Sequence, residues 1–199
     1  YNCSNGKSQQ MGSEGGYDYE LWSQNGAGNA TMTLNPSTEN GGAFSVEWSG
    51  TINMLARSGK RWGANSTVTV QNVGNITSEF DVEWSSTDNV KYVSVYGWGY
   101  YDQQDIPSGF SNEIEYYIIQ DRGSYNPTQG GKYFGSATID GIDYDVYATD
   151  RIQQPSLSDK VMWLLFPTSH LADALGNFCV VVLAYELFST CTNGKHGHE

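Results

Sequence analysis

The fold is decided by one alternating stretch, Glu113-Ile114-Glu115-Tyr116-Tyr117-Ile118-Ile119-Gln120. Extended, it would carry Ile114, Tyr116 and Ile118 on one side and Glu113, Glu115, Tyr117 and Ile119 on the other. This period of two predicts a strand with two different faces. Because carboxylates are costly to bury, the second face is expected to line a wet cleft. Glu115 is the candidate catalytic carboxylate of that cleft.

The chain is acidic, with 22 Asp and Glu residues against 10 Lys and Arg and a formal net charge of -12. Its 199 residues predict a single domain with ample length for a core. The charge argues against a basic surface for nucleic acid and against a polybasic membrane anchor. No apolar run reaches the roughly 18 residues of a membrane span. Neither nucleic acid nor a membrane is therefore expected as a partner.

The rest of the composition favours a β protein. Charged residues make up 16% of the chain, which contains 23 Gly, 14 Tyr and 6 Trp residues. Few charges, many glycines and many aromatics are typical of antiparallel strands joined by tight turns. The same aromatics would suit stacking on sugar rings, although strands favour aromatic residues for their own sake. Composition alone leaves these two interpretations open.

Cysteine usage and sequons give weaker signals. The three cysteines, Cys3, Cys179 and Cys191, are too few and too unevenly spaced for a zinc site or a disulfide framework. One pair could form, and the sequence does not say which. No metal or other cofactor is expected. Four N-x-S/T sequons, at Asn2, Asn29, Asn65 and Asn75, favour a secreted, extracellular protein, although such chains also contain them by chance.

Short alternating segments recur along the chain. Besides the opening stretch, strands are predicted over 17–22, 30–34, 43–48, 66–73, 80–84, 91–98, 132–139, 142–148 and 178–188. Asn25-Gly26 and Asp140-Gly141 predict tight hairpins. Residues 1–15 are predicted as a loose lead-in, 169–176 as a short helix, and 189–199 as a tail. The pattern predicts one all-β domain, a β-sandwich of largely antiparallel strands.

Several motifs in order resemble one known family. They include Val95-Tyr96-Gly97-Trp98, Glu115-Tyr116-Tyr117-Ile118-Ile119 and Gly123-Ser124-Tyr125-Asn126-Pro127, with further matches at 16–22, 44–48 and 144–147. Over residues 16–156 the chain resembles the endo-1,4-β-xylanases of glycoside hydrolase family 11. The resemblance implies a β-jelly roll of two curved antiparallel sheets, acting as a monomer on xylan without a cofactor.

The resemblance also implies roles for individual residues. Glu115 takes the place of the nucleophile in a retaining double-displacement mechanism, and Glu186 is the candidate acid/base. Substrate-binding positions correspond to Trp22, Tyr96, Tyr117, Arg151, Pro155 and Ser156. Retaining glycosidases hold their two carboxyls about 5 to 5.5 Å apart, and the acid/base has a raised pKa. Glu186 is indicated by the order Leu175-Gly176 followed by Ala184-Tyr185-Glu186; the alternative is a surface glutamate on an edge strand.

The chain departs from the family after Ser156. The stretch from Ser156 to His170 is too short for the family's thumb, the loop that closes over the substrate. A natural deletion and a shift of reading frame near residue 157 both account for this. The alternative function is consequently a catalytically impaired sandwich that binds xylan without cleaving it.

Two further departures affect the expected cleft. The segment between Trp98 and Glu115 is longer than in the family, which would add material over one end of the cleft. Glu47 stands where the family usually has Asn or Asp beside the acid/base. A carboxylate at that place would couple to the acid/base and shift the titration of both groups. An acidic to mildly acidic pH optimum is the resulting hypothesis.

Overall fold

A computed structural model describes residues 1–35, 42–62, 72, 90–101, 113–139, 141–152, 160–167 and 181–191; of these, 100–101, 151, 160–167 and 181–191 are described by their backbone. The described residues form twelve strands. These are β1 (Asn2–Ser4), β2 (Gln9–Glu14), β3 (Tyr17–Ser23), β4 (Asn29–Leu34), β5 (Phe44–Ser49), β6 (Met54–Arg61), β7 (Tyr92–Tyr101), β8 (Glu113–Arg122), β9 (Lys132–Ile139), β10 (Ile142–Ile152), β11 (Lys160–Pro167) and β12 (Val181–Cys191).

The strands make two sheets, as the all-β prediction required. The large sheet has nine strands in the order β2-β3-β6-β12-β7-β8-β11-β10-β9, and the small sheet has the order β1-β4-β5. Most pairings are antiparallel, but β12 pairs in parallel with both β6 and β7, and β11 pairs in parallel with β8. The late strands therefore insert between earlier ones, so that the two candidate carboxylates belong to nearby strands of one sheet.

The core lies between the two sheets. Large-sheet residues Tyr19, Leu21 and Ala56 pack there against small-sheet residues Ala30 and Met32. Of these, Leu21, Ala30, Met32 and Ala56 are fully buried. Because alternate residues of a strand point to opposite faces, the next residues along β3 and β6 lie on the outer face of the large sheet. That outer face carries the candidate site.

The opening stretch forms the centre of β8 and has the predicted two faces. Ile114, Tyr116 and Ile118 alternate with Glu115, Tyr117 and Ile119 along the strand. Glu115 is only 3% exposed, however, so the face that was expected to be wet is buried at this position. The carboxylate can be buried because neighbouring side chains supply hydrogen-bond donors to it.

Two predictions about the first 35 residues are wrong. Residues 1–15 are not a loose lead-in, because β1 pairs with β4, and β2 pairs with β3. Polar sequences can occupy such edge positions because the ladder uses main-chain hydrogen bonds. Asn25-Gly26 does not close a hairpin either: a 3-10 turn at Gln24–Gly26 carries the chain from β3 in the large sheet to β4 in the small one.

Of the other local predictions, one is confirmed, one has a wrong boundary, and three lie almost wholly outside the described residues. The hairpin at Asp140-Gly141 is confirmed, since β9 and β10 pair with Ile139 opposite Ile142. The predicted tail begins too early, because β12 continues to Cys191. The strands predicted at 66–73 and 80–84 and the helix at 169–176 lie outside the described residues, apart from residue 72. The described parts show no helix of the length and apolarity that crossing a membrane requires.

Candidate active site

The site is built on two neighbouring antiparallel strands. In the register of β7 and β8, Trp98 lies opposite Glu115 and Tyr96 lies opposite Tyr117. Directly opposed residues of a sheet point to the same face. Local alternation within β7 and β8 therefore gathers these four side chains on the outer face of the large sheet.

Two tyrosine hydroxyls donate hydrogen bonds to one oxygen of Glu115. The Tyr117 hydroxyl lies 2.6 Å from Oε1 and the Tyr96 hydroxyl lies 3.0 Å from the same atom. The indole Nε1 of Trp98 in turn donates to the Tyr96 hydroxyl at 2.7 Å. Because the Tyr96 oxygen accepts this bond from Trp98, its own O–H proton is free to point at the Glu115 carboxylate. Glu115 is thus a buried carboxylate that accepts hydrogen bonds from two neutral hydroxyls.

The two tyrosine rings form a packed pair beneath the carboxylate. Their centroids lie 4.6 Å apart at an interplanar angle of 51°. Burial raises the pKa of both phenols well above the usual 10.0, and the nearby Glu115 carboxylate raises it further. For Tyr117 the neighbouring Tyr96 also raises the pKa. Both hydroxyls therefore stay protonated, and remain donors, up to strongly alkaline pH.

A buried cation lies on the other side of Tyr96. The guanidinium of Arg57 sits 5.3 Å from the Tyr96 ring centroid, within cation–π range. Arg57 lowers the pKa of Tyr96 and so opposes part of the rise caused by burial. The same guanidinium pairs with Glu20, its Nε donating to Oε2 at 2.6 Å. The motifs do not point to this pair, although charged residues at alternating positions of apolar strands signal buried partners.

Trp22 lies on the same face, as its predicted role requires. It is half-buried in β3 opposite Leu55 of β6, and Leu55 packs against the cluster of Tyr96, Trp98 and Tyr117. Tyr147 of β10 packs against the same cluster and was not singled out from the sequence. It falls in a predicted strand, where nothing local distinguishes its face from that of its neighbours.

The predicted acid/base lies two strands from Glu115. Glu186 of β12 is opposite Trp98 of β7, and Trp98 is opposite Glu115 of β8. The three residues therefore share one row across the large sheet. Arg151 lies in β10 opposite Val161 of β11. Pro155 and Ser156 lie outside the described residues.

Glu47 belongs to the small sheet. It lies in β5 of the small sheet, opposite Thr31, and its side chain is exposed. Its neighbours Val46 and Trp48 point towards the core, so Glu47 points away from it. The predicted coupling between Glu47 and the acid/base stays a prediction, because the side chain of Glu186 lies outside the described residues. Within the described ranges, no three His, Cys, Asp or Glu side chains cluster closely enough to hold a metal.

The fold and the site together define a class: a β-jelly roll whose large sheet presents a buried carboxylate beside aromatic side chains. This matches the class of carbohydrate-active jelly rolls, in which such carboxylates and aromatics bind and process sugars. Residues 14–163 match the family described as Glycosyl hydrolases family 11. The chain belongs to this family.

Individual relatives agree with that assignment. The chain is 41% identical to the endo-1,4-beta-xylanase A of Bacillus pumilus over 148 residues, 74% of this chain and 56% of the relative. It spans 21% and 20% of two longer relatives, from Pseudobutyrivibrio xylanivorans and Thermoclostridium stercorarium. The chain thus spans about half the length of the first relative and a fifth of the other two.

Solved structures show the same fold. The family 11 xylanase from Neocallimastix patriciarum superposes with a TM-score of 0.56 at 26% identity, covering 85% of this chain and 75% of that one. The wild-type ENZbleach xylanase superposes with a TM-score of 0.63 at 24% identity, covering 84% of this chain and 66% of that one. The jelly-roll prediction is confirmed.

Proposed function

We propose that the protein is an endo-1,4-β-xylanase that cleaves internal bonds of xylan with retention of configuration. The observation that carries this proposal is the buried Glu115, which accepts hydrogen bonds from Tyr96 and Tyr117. The family assignment and the relatives named as xylanases support it. The alternative of an impaired xylan-binding sandwich receives no such support, since the relatives bear the names of enzymes.

Glu115 would act as the nucleophile. Its carboxylate would attack the anomeric carbon, the glycosidic bond would break, and a glycosyl-enzyme ester would form. Neutral phenol donors suit this role because they stabilise the carboxylate without cancelling its charge. Because both phenols stay protonated, neither tyrosine changes the charge of the site across the working pH range.

Glu186 would act as the acid and then as the base. Glu186 in β12 and Glu115 in β8 are separated by one intervening strand, β7, so their backbones are two strand spacings, or about 10 Å, apart. Glutamate side chains can span such a gap to the roughly 5 to 5.5 Å between carboxyls of a retaining pair. Glu186 would protonate the leaving oxygen in the first step and take a proton from water in the second.

The remaining predicted residues would bind the substrate. Trp22 would stack on a sugar ring, as its half-buried place beside Leu55 allows. Arg151, Pro155 and Ser156 keep the substrate-binding roles that the family resemblance implies. Secretion is part of the same proposal, since a polymeric xylan substrate would be met outside the cell. The monomeric state is the one that the family resemblance implies.

The decisive experiment measures reducing-sugar release from linear xylan by four proteins. Wild type is expected to be active, while Glu115→Gln and Glu186→Gln are expected to lose nearly all activity. Glu113→Gln is the matched control, because it removes a half-buried carboxylate two residues away on the same strand. NMR of the first product should show the β-anomer. Inert wild type that still binds a xylan column would reject the enzyme proposal, and full activity of Glu186→Gln would reject its acid/base role.

A further inference from the structure

Four tyrosines lie in one row across the large sheet. The row begins where Tyr96 of β7 lies opposite Tyr117 of β8, and it continues through Leu165 of β11 and Tyr147 of β10 to Tyr133 of β9. β9 is the last strand in the order of the sheet. The row therefore starts at the two hydroxyls that bond the candidate nucleophile and ends at the edge of the sheet.

Ring contacts place the outer members of this row on the same face as the candidate active site. Tyr147 packs against the cluster that contains Tyr96, Trp98 and Tyr117. The ring centroids of Tyr133 and Tyr147 lie 5.4 Å apart at an interplanar angle of 60°. Directly opposed residues of neighbouring strands point to the same face, so Tyr133 shares the face of Tyr147. Tyr133 thus extends the aromatic surface of the site to β9.

A β-bulge determines which aromatic residue meets Tyr147. The register of β9 shifts after Gly135, so Tyr147 pairs with Tyr133 and the register passes over Phe134. Gly135 has a φ of 137°, which residues other than glycine rarely adopt. Phe134 instead lies against the Lys132 ammonium, whose nitrogen is 4.9 Å from its ring centroid. Bulges next to active sites re-aim side chains, and this one brings Tyr133 into the row.

The members of the row differ in exposure. Tyr96 and Tyr117 are buried and donate their hydrogen bonds to Glu115, whereas Tyr147 is half-buried. Tyr133 is 54% exposed, although its ring contacts Tyr147. A ring that is held by a neighbour and still open to solvent can stack on a ligand at a small cost in side-chain entropy. Tyr133 is the member of the row with these two properties.

Tyr133 lies well away from the candidate nucleophile. β9 and β8 are three strand spacings apart, about 14 Å. This distance exceeds the length of one sugar ring, so a sugar at Tyr133 would be several units along the chain from the sugar at Glu115. Trp22 belongs to β3, on the other side of β8 in the strand order. Trp22 and Tyr133 therefore flank the candidate nucleophile across the sheet.

We propose that Tyr133 is a distal stacking platform for xylan, which holds a sugar ring several units from the bond that is cleaved. The proposal rests on the proposed function, since xylan is the chain that would reach the platform. An aromatic ring suits an uncharged sugar because it covers the apolar C–H face of the sugar and leaves the hydroxyls in water. The platform favours long chains, because a short one cannot contact Tyr133 and the nucleophile together.

The test compares the binding of xylotriose and xylohexaose by calorimetry, in the Glu115→Gln background to prevent turnover. Tyr133→Ala should weaken the binding of xylohexaose about fivefold and leave that of xylotriose unchanged. Tyr133→Phe keeps the ring and should bind both compounds within about twofold of the parent. Phe134→Ala is the matched control, because it removes a 48% exposed ring from the adjacent position of β9. It should leave both affinities unchanged.

Each outcome supports or overturns the platform. Equal loss for both oligosaccharides in Tyr133→Ala, or no loss for either, overturns it. A loss in Tyr133→Phe as large as in Tyr133→Ala would assign the effect to the hydroxyl and overturn stacking. If wild type cleaves xylan but Tyr133→Ala binds xylohexaose normally, the xylanase proposal stands and the platform falls. If Tyr133→Ala loses affinity for xylohexaose alone but wild type cleaves no xylan, the platform stands and the enzyme proposal falls.

Discussion

Glu20 and Glu115 are two buried glutamates on the same face of the large sheet, and they accept hydrogen bonds from different kinds of donor. Glu20 is 6% exposed and pairs with the guanidinium of Arg57. Glu115 is 3% exposed and accepts hydrogen bonds from the neutral hydroxyls of Tyr96 and Tyr117. Arg57 links the two environments, because its guanidinium also lies over the Tyr96 ring.

The difference separates a structural carboxylate from a reactive one. A cation beside a buried carboxylate cancels its charge and leaves little driving force for attack on an electrophile. Neutral donors compensate desolvation while the full negative charge persists. A carboxylate buried beside phenols can therefore act as a nucleophile. A carboxylate buried beside an arginine suits a structural ion pair that joins β3 to β6.

Replacing each glutamate by glutamine should separate the two roles most strongly. Glu115→Gln is expected to lower kcat/KM on xylo-oligosaccharides by at least about 10³-fold, because removing a nucleophile abolishes the covalent route. Its free energy of unfolding should change by less than about 1 kcal/mol, because glutamine keeps the shape and an acceptor oxygen. Steady-state kinetics and urea unfolding measure the two quantities. Comparable loss of activity in Glu20→Gln, assayed while folded, would break the comparison.

Removing one partner of the ion pair should mainly affect stability. Arg57→Met leaves Glu20 buried beside no cation and is expected to lower the free energy of unfolding by about 3–5 kcal/mol. The double replacement Glu20→Gln with Arg57→Met should recover most of that loss, since no uncompensated charge remains. Urea unfolding at neutral pH measures both. A double variant as unstable as Arg57→Met alone would show that packing, rather than charge pairing, sets the stability.

Removing a phenol donor should have a smaller effect on catalysis. Tyr117→Phe and Tyr96→Phe each delete a hydrogen bond to a buried carboxylate, worth about 1.5–3 kcal/mol, or roughly ten- to hundredfold in kcat/KM. Tyr117→Phe should be the more damaging, because its bond to Oε1 is 2.6 Å long against 3.0 Å for Tyr96. Parallel kinetics of the two variants decide the order. Activity unchanged in both would remove the tyrosines from the proposed mechanism.

Alkaline pH should reveal the same tyrosines through stability. In the folded protein the pKa values of Tyr96 and Tyr117 lie well above 10.0, while in the unfolded chain they return to about 10. Above pH 10 the unfolded chain therefore loses protons that the folded protein retains, and stability falls by up to about 1.4 kcal/mol per pH unit for each phenol. Urea unfolding from pH 8 to 11 should show a shallower fall in the Tyr96→Phe and Tyr117→Phe variants. An unchanged slope would contradict the pKa rise.

Local patterns predicted much of the fold but missed its connections. The alternation of β8 and the Asp140-Gly141 hairpin follow from neighbouring residues, and both are confirmed. Asn25-Gly26 has the same hairpin signal yet crosses between sheets, because a turn motif sets the local bend and not the partner of the next strand. The place of Glu47 in the small sheet was likewise not predictable, because the position of a motif in the sequence does not reveal which sheet its strand joins.

The sequence by itself determined the all-β class through its many alternating segments, and the family through its ordered motifs. It also determined the shared face of Glu115 and Tyr117, because residues two apart in a strand point to the same side. The resemblance already associated Tyr96 and Glu186 with Glu115. Only the tertiary structure decided that the Trp98 indole bonds Tyr96, that Glu20 meets Arg57, and that Glu186 falls in the row of Glu115. The last two bring together residues far apart in the chain. Alternation gives each strand two faces, but strand order and register, set by how all the strands pack together, determine which faces meet.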